Sequence, residues 1–498
     1  MKKIRYDIII FFVNAICMIL ELVASRVLSP YFGSSNLVWT AVIGIILLSS
    51  SIGNYYGGII ADKKDVNNKV KMILLFSCGF VLLIPLIQEK IILMIISLTS
   101  NVKIGAIIAT ILLFFVPSLY MGLLTPIILK LKLENIENAG KVSGKFYAIA
   151  TIGGIFGTFL GGFWLIPKFG SVYILFMLAI VLSILMLFVD FKLDKKIIII
   201  VIIITIISSL CMYYYTTDNN QNGDIVLSNK IGEKVSYDTE YGRVLIYNGI
   251  RDGELIRILN IDSGYESATY VDEEKCNELI FEYTKLYDLM FEADINIKNT
   301  LLIGGAGYSY PKYYISHYED KNIDVVEIDG KITEIAKKYF FLDKLIKDYN
   351  LEENKRLNLI TEDGRTYLNQ NEKKYDAILN DAFSGNSPAK TLTTIEAVQK
   401  IKGSLIENGL YLTNIISSLE GENRKFLNAE VNTLKRVFKN VYIIPCVNDE
   451  ENLEKVINNM VIATDADIDF ENTYDFVNDD ELILTDDYCP VESLIPQK

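Results

Sequence analysis

The chain changes character near residue 215. Before it, long apolar runs alternate with short polar joints; after it, apolar residues come in brief runs between charged stretches. Residues 7–28, 37–61, 70–88, 104–130, 146–166, 171–190 and 196–215 have the length and apolarity of bilayer-spanning helices. That predicts seven spans. The run 91–99 is too short to cross alone and is expected to be interfacial or an extension of the third helix. A basic start before an apolar run also suits a signal peptide. Glu21 interrupts this run, no small-residue cleavage site follows, and further spans do, so a first transmembrane helix is the better reading.

Residues 216–223 (TTDNNQNG) are polar and read as a linker. Strand-like runs follow at 234–238, 242–248 and 255–261, separated by the turn pairs Asn248-Gly249 and Asp252-Gly253. They predict a small antiparallel sheet. Residues 273–292 have helical spacing. From Leu301 onward, apolar runs at 301–303, 323–328, 357–360, 376–380, 408–415 and 440–444 alternate with helical patterns, which predicts a parallel, doubly wound sheet. The expected organisation is a transmembrane domain over 1–215, a linker over 216–230, a β-hairpin and helix region over 231–295, and a Rossmann-like domain of the class I methyltransferase type over 296–498.

The richest stretch is Leu301–Asp329. Its first run meets the turn Gly304-Gly305-Ala306-Gly307, and its second ends at Glu327-Ile328-Asp329. Glycines let backbone approach a ligand, and an acid at the second strand's tip accepts hydrogen bonds from ribose hydroxyls. Ligands of such sheets sit at the carboxyl ends of the strands. Gly304, Gly305, Gly307, Glu327, Asp363, Gly364 and Asp381 therefore read as one site. They fit an S-adenosyl nucleoside, with the glycines beside the sulfur-bearing tail, Glu327 on the ribose and Asp363 on the adenine amine. A pyrophosphate fits less well, because Tyr308 and Pro311 break the third-glycine spacing. Each residue also has a plainer reading: a tight turn for the glycines, helix caps for Glu327 and Asp363, a loop or capping acid for Asp381. Tyr308, Tyr313 and Tyr314 suit packing better than ligation.

Charge sharpens the division. Residues 1–215 carry a net +9 and the remainder −22, giving −13 in all. The acidity of the second part serves solubility or attracts a cationic substrate, and it excludes nucleic acid as a partner. Six scattered cysteines without a CxxC pair give no metal site or disulfide framework, and the single histidine, His317, is expected on a helix surface. Within the first span Glu21 needs a partner or a cavity, and Arg26 is the nearest candidate. Gly153, Gly154, Gly157, Gly161 and Gly162 make a small-residue ridge suited to close helix packing. Lysine and arginine collect on one side of the spans, which should be cytoplasmic. Seven spans then put the C-terminal part on the opposite side, away from a cytosolic nucleoside. The side stays open.

Longer motifs carry a resemblance. VVEIDGKITEIAKKYF, TEDGRTYL and YDAILNDAFSGNSPAKTLTT resemble the core of the spermidine synthases, the polyamine aminopropyltransferases. DTEYGRVLIYN and LIFEYTKL are similar to that family's N-terminal sheet and following helix. ELVASRVLSPYFGSS, GGIIADK, YAIATIGGIFGTFLGGFWLIPKFG and LTDDYCPVE are similar to fused transporter-like/spermidine synthase membrane proteins. The resemblance implies an aminopropyltransferase using decarboxylated S-adenosylmethionine as cosubstrate, without a metal. It implies Asp381 as general base, Glu327 as ribose ligand, Asp363-Gly364 as adenine contact and Pro388 as nucleoside contact. The amine side departs from the family. Gly307 stands where the glycine motif carries an amine-holding aspartate, Ser384 where a second aspartate follows the base, Gly242 where a glutamine is usual, and Glu282 where a histidine is. Glu282 and Ser384 are thus candidate amine contacts, and Asp262 and Glu266 are further acids within reach of that side. The expected setting is a multi-pass protein of the cell membrane, in contact with the lipid bilayer and a small polyamine, and forming a homodimer. Two rival readings use the same scaffold: an S-adenosylmethionine-dependent methyltransferase, and a non-catalytic transporter or sensor that binds nucleoside or polyamine.

Overall fold

Among the described residues, seven helices of the first part are long and apolar enough to cross a membrane: Ile4–Phe32, Val38–Ala61, Val66–Leu98, Val102–Lys132, Ala139–Leu165, Ser171–Phe188 and Lys195–Tyr213. The structure is a computed structural model. It describes the chain except residues 1, 33–35, 64, 100, 134–137, 190–194, 220–226, 228–230, 232, 263, 294, 385–386, 448–451, 478–480 and 497–498. The run 91–99 continues the third helix to Leu98 rather than forming a piece of its own. Most of the expected linker, 216–230, lies outside the described residues. Two compact units result, one of Met1–Ile225 with Val235–Val244, the other of Val226–Lys234 with Leu245–Lys498.

In the first unit, the glycine ridge of the fifth span lies directly on the first helix. A Cβ on Gly153 would sit 2.2 Å from the Phe11 carbonyl oxygen, and one on Gly157 would sit 2.3 Å from that of Ala15. Only glycine allows two helix backbones to come so close. Two lysines of this unit find acidic partners. Lys132, 3% exposed, bonds Asp7, and Lys130 bonds Asp62. Arg26 does not turn to Glu21 as expected. It donates to the Glu240 carbonyl instead.

Four strands follow, β1 (Lys234–Asp238), β2 (Arg243–Arg251), β3 (Glu254–Ile261) and β4 (Gly264–Tyr270), adjacent in that order. β3 and β4 are antiparallel. The expected helix over 273–292 is only a turn of helix at Glu282–Lys285 and a 3₁₀ segment at Leu286–Phe291.

The second unit is built on a seven-stranded sheet. Its strands are β5 (Asn299–Ile303), β6 (Asn322–Glu327), β7 (Leu357–Thr361), β8 (Tyr375–Asn380), β11 (Leu405–Ser417), β12 (Asn440–Pro445) and β13 (Ile457–Thr464). A two-residue ribbon, β9 (Phe383–Ser384) with β10 (Ser387–Pro388), stands apart from it. The order is β12-β13-β11-β8-β5-β6-β7. Five strands are parallel, as expected for a doubly wound fold. β13 runs antiparallel to both of its neighbours, β11 and β12, and has no counterpart among the expected strands. In its sequence, INNMVIAT, two asparagines follow the first isoleucine and hide an apolar run. The helices cover the sheet through amphipathic faces. Gly330–Tyr339 buries Ile332, Ile335, Ala336 and Tyr339, the i, i+3, i+4, i+7 pattern of one helical face.

Helix Lys425–Lys435 buries an acid in its apolar face. Glu430 is 1% exposed, and its Oε2 has no hydrogen-bond partner among the described residues. Burial pushes its carboxyl from the ordinary 4.5 up to about 8. The unfolded chain therefore gives up this proton near pH 4.5 and the folded chain only near pH 8. Stability falls as pH rises between these values and levels off above. Glu430→Gln should flatten the decline between pH 6 and 8, which thermal unfolding of the purified chain across that range checks.

Candidate active site

The site begins where β5 stops. Gly304 turns the chain with φ +98°, and its N–H donates to the Val326 carbonyl at 2.9 Å. A Cβ here would lie 2.4 Å from the Asp381 carbonyl oxygen. The Asp381 N–H in turn donates to the Ile303 carbonyl at 2.9 Å. Strands β5 and β8 are thus tied together at their carboxyl ends, and Asp381 follows β8 next to the glycine turn. This is the switch point of the sheet, since β5 lies between β6 and β8.

The turn is strained. Ala306 and Tyr308 also adopt left-handed backbone, φ 42° and 56°, at a cost of about 1–2 kcal/mol for each side chain. Glu327 offsets the cost. Its Oε2 accepts from the Gly305 and Ala306 N–H groups at 2.9 and 3.0 Å, and its Oε1 from the Asp329 N–H at 3.0 Å. The carboxyl is 7% exposed. Burial pushes its pKa up, while the three backbone donors pull it back. Tyr308 is buried with its hydroxyl 2.8 Å from Thr333, a packing role.

Beside the glycine turn is a cavity of about 370 Å³, lined by Gly304, Gly305 and Asp381 together with residues of β4, the 280–284 segment, β11 and β13. The Tyr283 hydroxyl donates to Asp381 Oδ2 at 3.1 Å. Tyr287 and Asn414 also face this carboxylate and favour its charged form. Burial is the larger effect and pushes the Asp381 carboxyl up to about 6. Burial likewise pushes the Tyr283 hydroxyl well above its ordinary value, and the charges of Asp381 and Glu266 add to it, so Tyr283 stays a donor. A carboxyl that titrates near neutrality in a cavity can accept a proton from a bound ligand.

The other candidates lie variously around this centre. Glu282 lines the cavity, but its carboxylate is half exposed and ion-paired with Lys285 Nζ at 2.8 Å. Asp363 caps helix Gly364–Gln370, accepting from the Thr366 N–H at 2.9 Å. A Cβ on Gly364 would lie 2.6 Å from Ile303 Cγ2, which draws this helix start close to the end of β5. Pro388 pairs with Phe383 in the short ribbon that follows Asp381. The Ser384 side chain lies outside the described residues. Gly307, Glu327, Asp363, Gly364 and Pro388 are not among the residues that line the cavity. Sequence reasoning missed Tyr283, Tyr287 and Asn414. The i, i+4 tyrosine pair and the lone asparagine late in the apolar strand LYLTNIIS were the available signals.

The fold and this arrangement define a Rossmann-like enzyme domain of the methyltransferase type. The spermine/spermidine synthase domain matches residues 281–472. A polyamine aminopropyltransferase of Thermococcus kodakarensis is 30% identical over 209 residues, covering 41% of this chain and 67% of that protein. One from Alkaliphilus metalliredigens is 26% identical over 220 residues, covering 44% and 72%. A crystal structure of spermidine synthase from Thermotoga maritima superimposes with a TM-score of 0.37 at 18% identity, covering 53% of this chain and 85% of that one. This chain belongs to the polyamine aminopropyltransferase family.

The contact between Gly304 and Asp381 can be tested directly. Gly304→Ala adds a Cβ where a carbonyl oxygen sits at 2.4 Å and imposes left-handed backbone on alanine. It should cost about 1–3 kcal/mol of stability and displace Asp381, read as a lower unfolding midpoint together with a loss of turnover.

Proposed function

We propose that this chain is a membrane-bound aminopropyltransferase. It transfers the aminopropyl group of decarboxylated S-adenosylmethionine to a small amine such as putrescine and releases methylthioadenosine. The seven apolar helices support the membrane setting, with the synthase domain fused behind them as in the transporter-like/spermidine synthase proteins. Family membership supports the cosubstrate and the reaction class.

The observation that carries the reading is the Asp381 carboxyl, set in a cavity beside the glycine turn and pushed up to about 6. An amine attacks carbon only when neutral, and most amines are protonated at pH 7. A carboxylate in the cavity attracts the ammonium and then takes its proton. Tyr283, bonded to Oδ2, fixes the orientation of that carboxylate. The donor supplies a propyl carbon made electrophilic by its sulfonium. The residues that fit it are the glycine turn Gly304, Gly305 and Gly307, with Glu327 for the ribose hydroxyls and Asp363, Gly364 and Pro388 for the base. Asp363 keeps its capping bond while its second carboxylate oxygen serves the adenine amine. Glu327 likewise has lone pairs beyond those its three backbone donors use.

The acidic limb of kcat/KM should follow Asp381, so activity rises as pH increases through about 6. Asp381→Asn should abolish methylthioadenosine formation while nucleoside affinity stays within a few-fold. Unchanged turnover would sink the assignment. Tyr283→Phe removes a donor that holds the carboxyl down, so the acidic limb should move up by about one pH unit, on the scale of 1.4 kcal/mol. A pH–rate profile of the variant checks this. S-adenosylhomocysteine as product from S-adenosylmethionine would favour the methyltransferase reading instead.

A further inference from the structure

Strand β4 is irregular where it meets the site. Leu259 of β3 pairs with Ser267, and the next residue, Asn260, pairs with Tyr265, so Glu266 is the extra residue of a β-bulge. A bulge breaks the alternation of faces and re-aims a side chain. Tyr265 is 69% exposed, whereas Ser267 and Ala268 are buried. Ser267 settles on the glycine turn, with its Oγ 2.8 Å from Ser309 Oγ, which in turn donates to the Ala268 carbonyl at 2.9 Å. Ser267 takes up the room a side chain at Gly307 would need, since a Cβ there would lie 2.5 Å from Ser267 Oγ. The far end of β4 is pinned by the buried Lys312, whose Nζ donates to Thr269 Oγ1 at 3.0 Å and to the Cys276 carbonyl at 2.6 Å.

This arrangement sets Glu266 on the cavity wall with Asp381. The charges of both act on the Tyr283 hydroxyl. Glu282 is paired with Lys285, and the Arg251 guanidinium lies 6.0 Å over the Phe281 ring. Much of the remaining wall is apolar or aromatic, including Phe281, Tyr310, Phe383 and Ile416. An ammonium drawn into such a cavity needs a carboxylate of its own, because a desolvated charge without a counterion is strongly disfavoured.

We propose that Glu266 is the specificity-determining acid of this cavity. It holds the primary ammonium that does not react while Asp381 deprotonates the amine that does. The inference rests on the aminopropyl-transfer reading above. The shared chemistry is a primary alkylammonium, which either the far end of a diamine acceptor or the propylamine end of the donor can present.

The test uses the full chain in detergent, decarboxylated S-adenosylmethionine as donor, and 1,4-diaminobutane or butylamine as acceptor. If Glu266 holds the acceptor, Glu266→Gln should cut the preference for diamine over monoamine at least tenfold through KM, with kcat within about threefold. If it holds the donor, the donor KM should rise tenfold and the acceptor preference should stay. Glu266→Asp keeps the charge and should retain most of the lost selectivity, which a purely structural role for the bulge would not predict. Both KM values unchanged within twofold, or a fall in kcat alone, would overturn the proposal. If wild-type chain makes no methylthioadenosine, the aminopropyl reading fails. Calorimetric binding of 1,4-diaminobutane against butylamine, in wild type and in Glu266→Gln, then decides the role of Glu266 separately.

Discussion

The catalytic half depends on one approach of backbone to backbone. Gly304 lies against the Asp381 carbonyl so closely that no side chain fits between them. The bond from the Asp381 N–H to Ile303 closes the same junction from the other side. Asp381, the residue proposed as the base, leaves the sheet at that junction, which fixes the end of β8 relative to the turn. The strain in the turn, at Ala306 and Tyr308, is tolerated because Glu327 bonds two of its N–H groups. The acid at the tip of β6 is therefore a structural part of the turn before any ligand is considered.

Three carboxyls of the second unit show how partners set behaviour. Glu327 has three backbone donors, which counter the effect of burial. Asp381 has side-chain donors and faces a cavity, which leaves it poised near 6. Glu430 lies in an apolar helix face and is pushed to about 8. Burial acts in the same direction on all three, and the number and kind of donors separates them. Of the three, only Asp381 combines a pKa near neutrality with an open volume in front of it, and for that reason it is the residue proposed for the proton transfer.

Much of the fold was legible in the chain because its signals are local. Apolar runs gave the seven helices, and alternation with glycine and acid at strand ends gave the parallel strands and the places of Glu327, Asp363 and Asp381 at their ends. The less legible parts depend on non-local contacts. Tyr283 and Asn414 become site residues only because distant segments converge on Asp381, and one residue's slip in register between β3 and β4 is what turns Glu266 inward. β13 was hidden by its two asparagines, of which Asn459 is buried and bonds Ile415 and Ser417 carbonyls. Segment 273–292 has helical spacing but mostly folds as turns and 3₁₀ structure, where Lys312, the Tyr283–Asp381 bond and the tyrosine cluster of 283, 287 and 310 override local propensity.

The glycine ridge of the fifth span has a mechanical consequence. Gly153 and Gly157 leave no side chain between the fifth helix and the backbone of Phe11 and Ala15. Two helices in such contact cannot slide or roll past each other without opening a void or a clash. They behave as one stiff plank. Any motion of the helices of the first unit would have to hinge at other seams, and a bulky replacement in the ridge would act as a wedge that pries that plank apart.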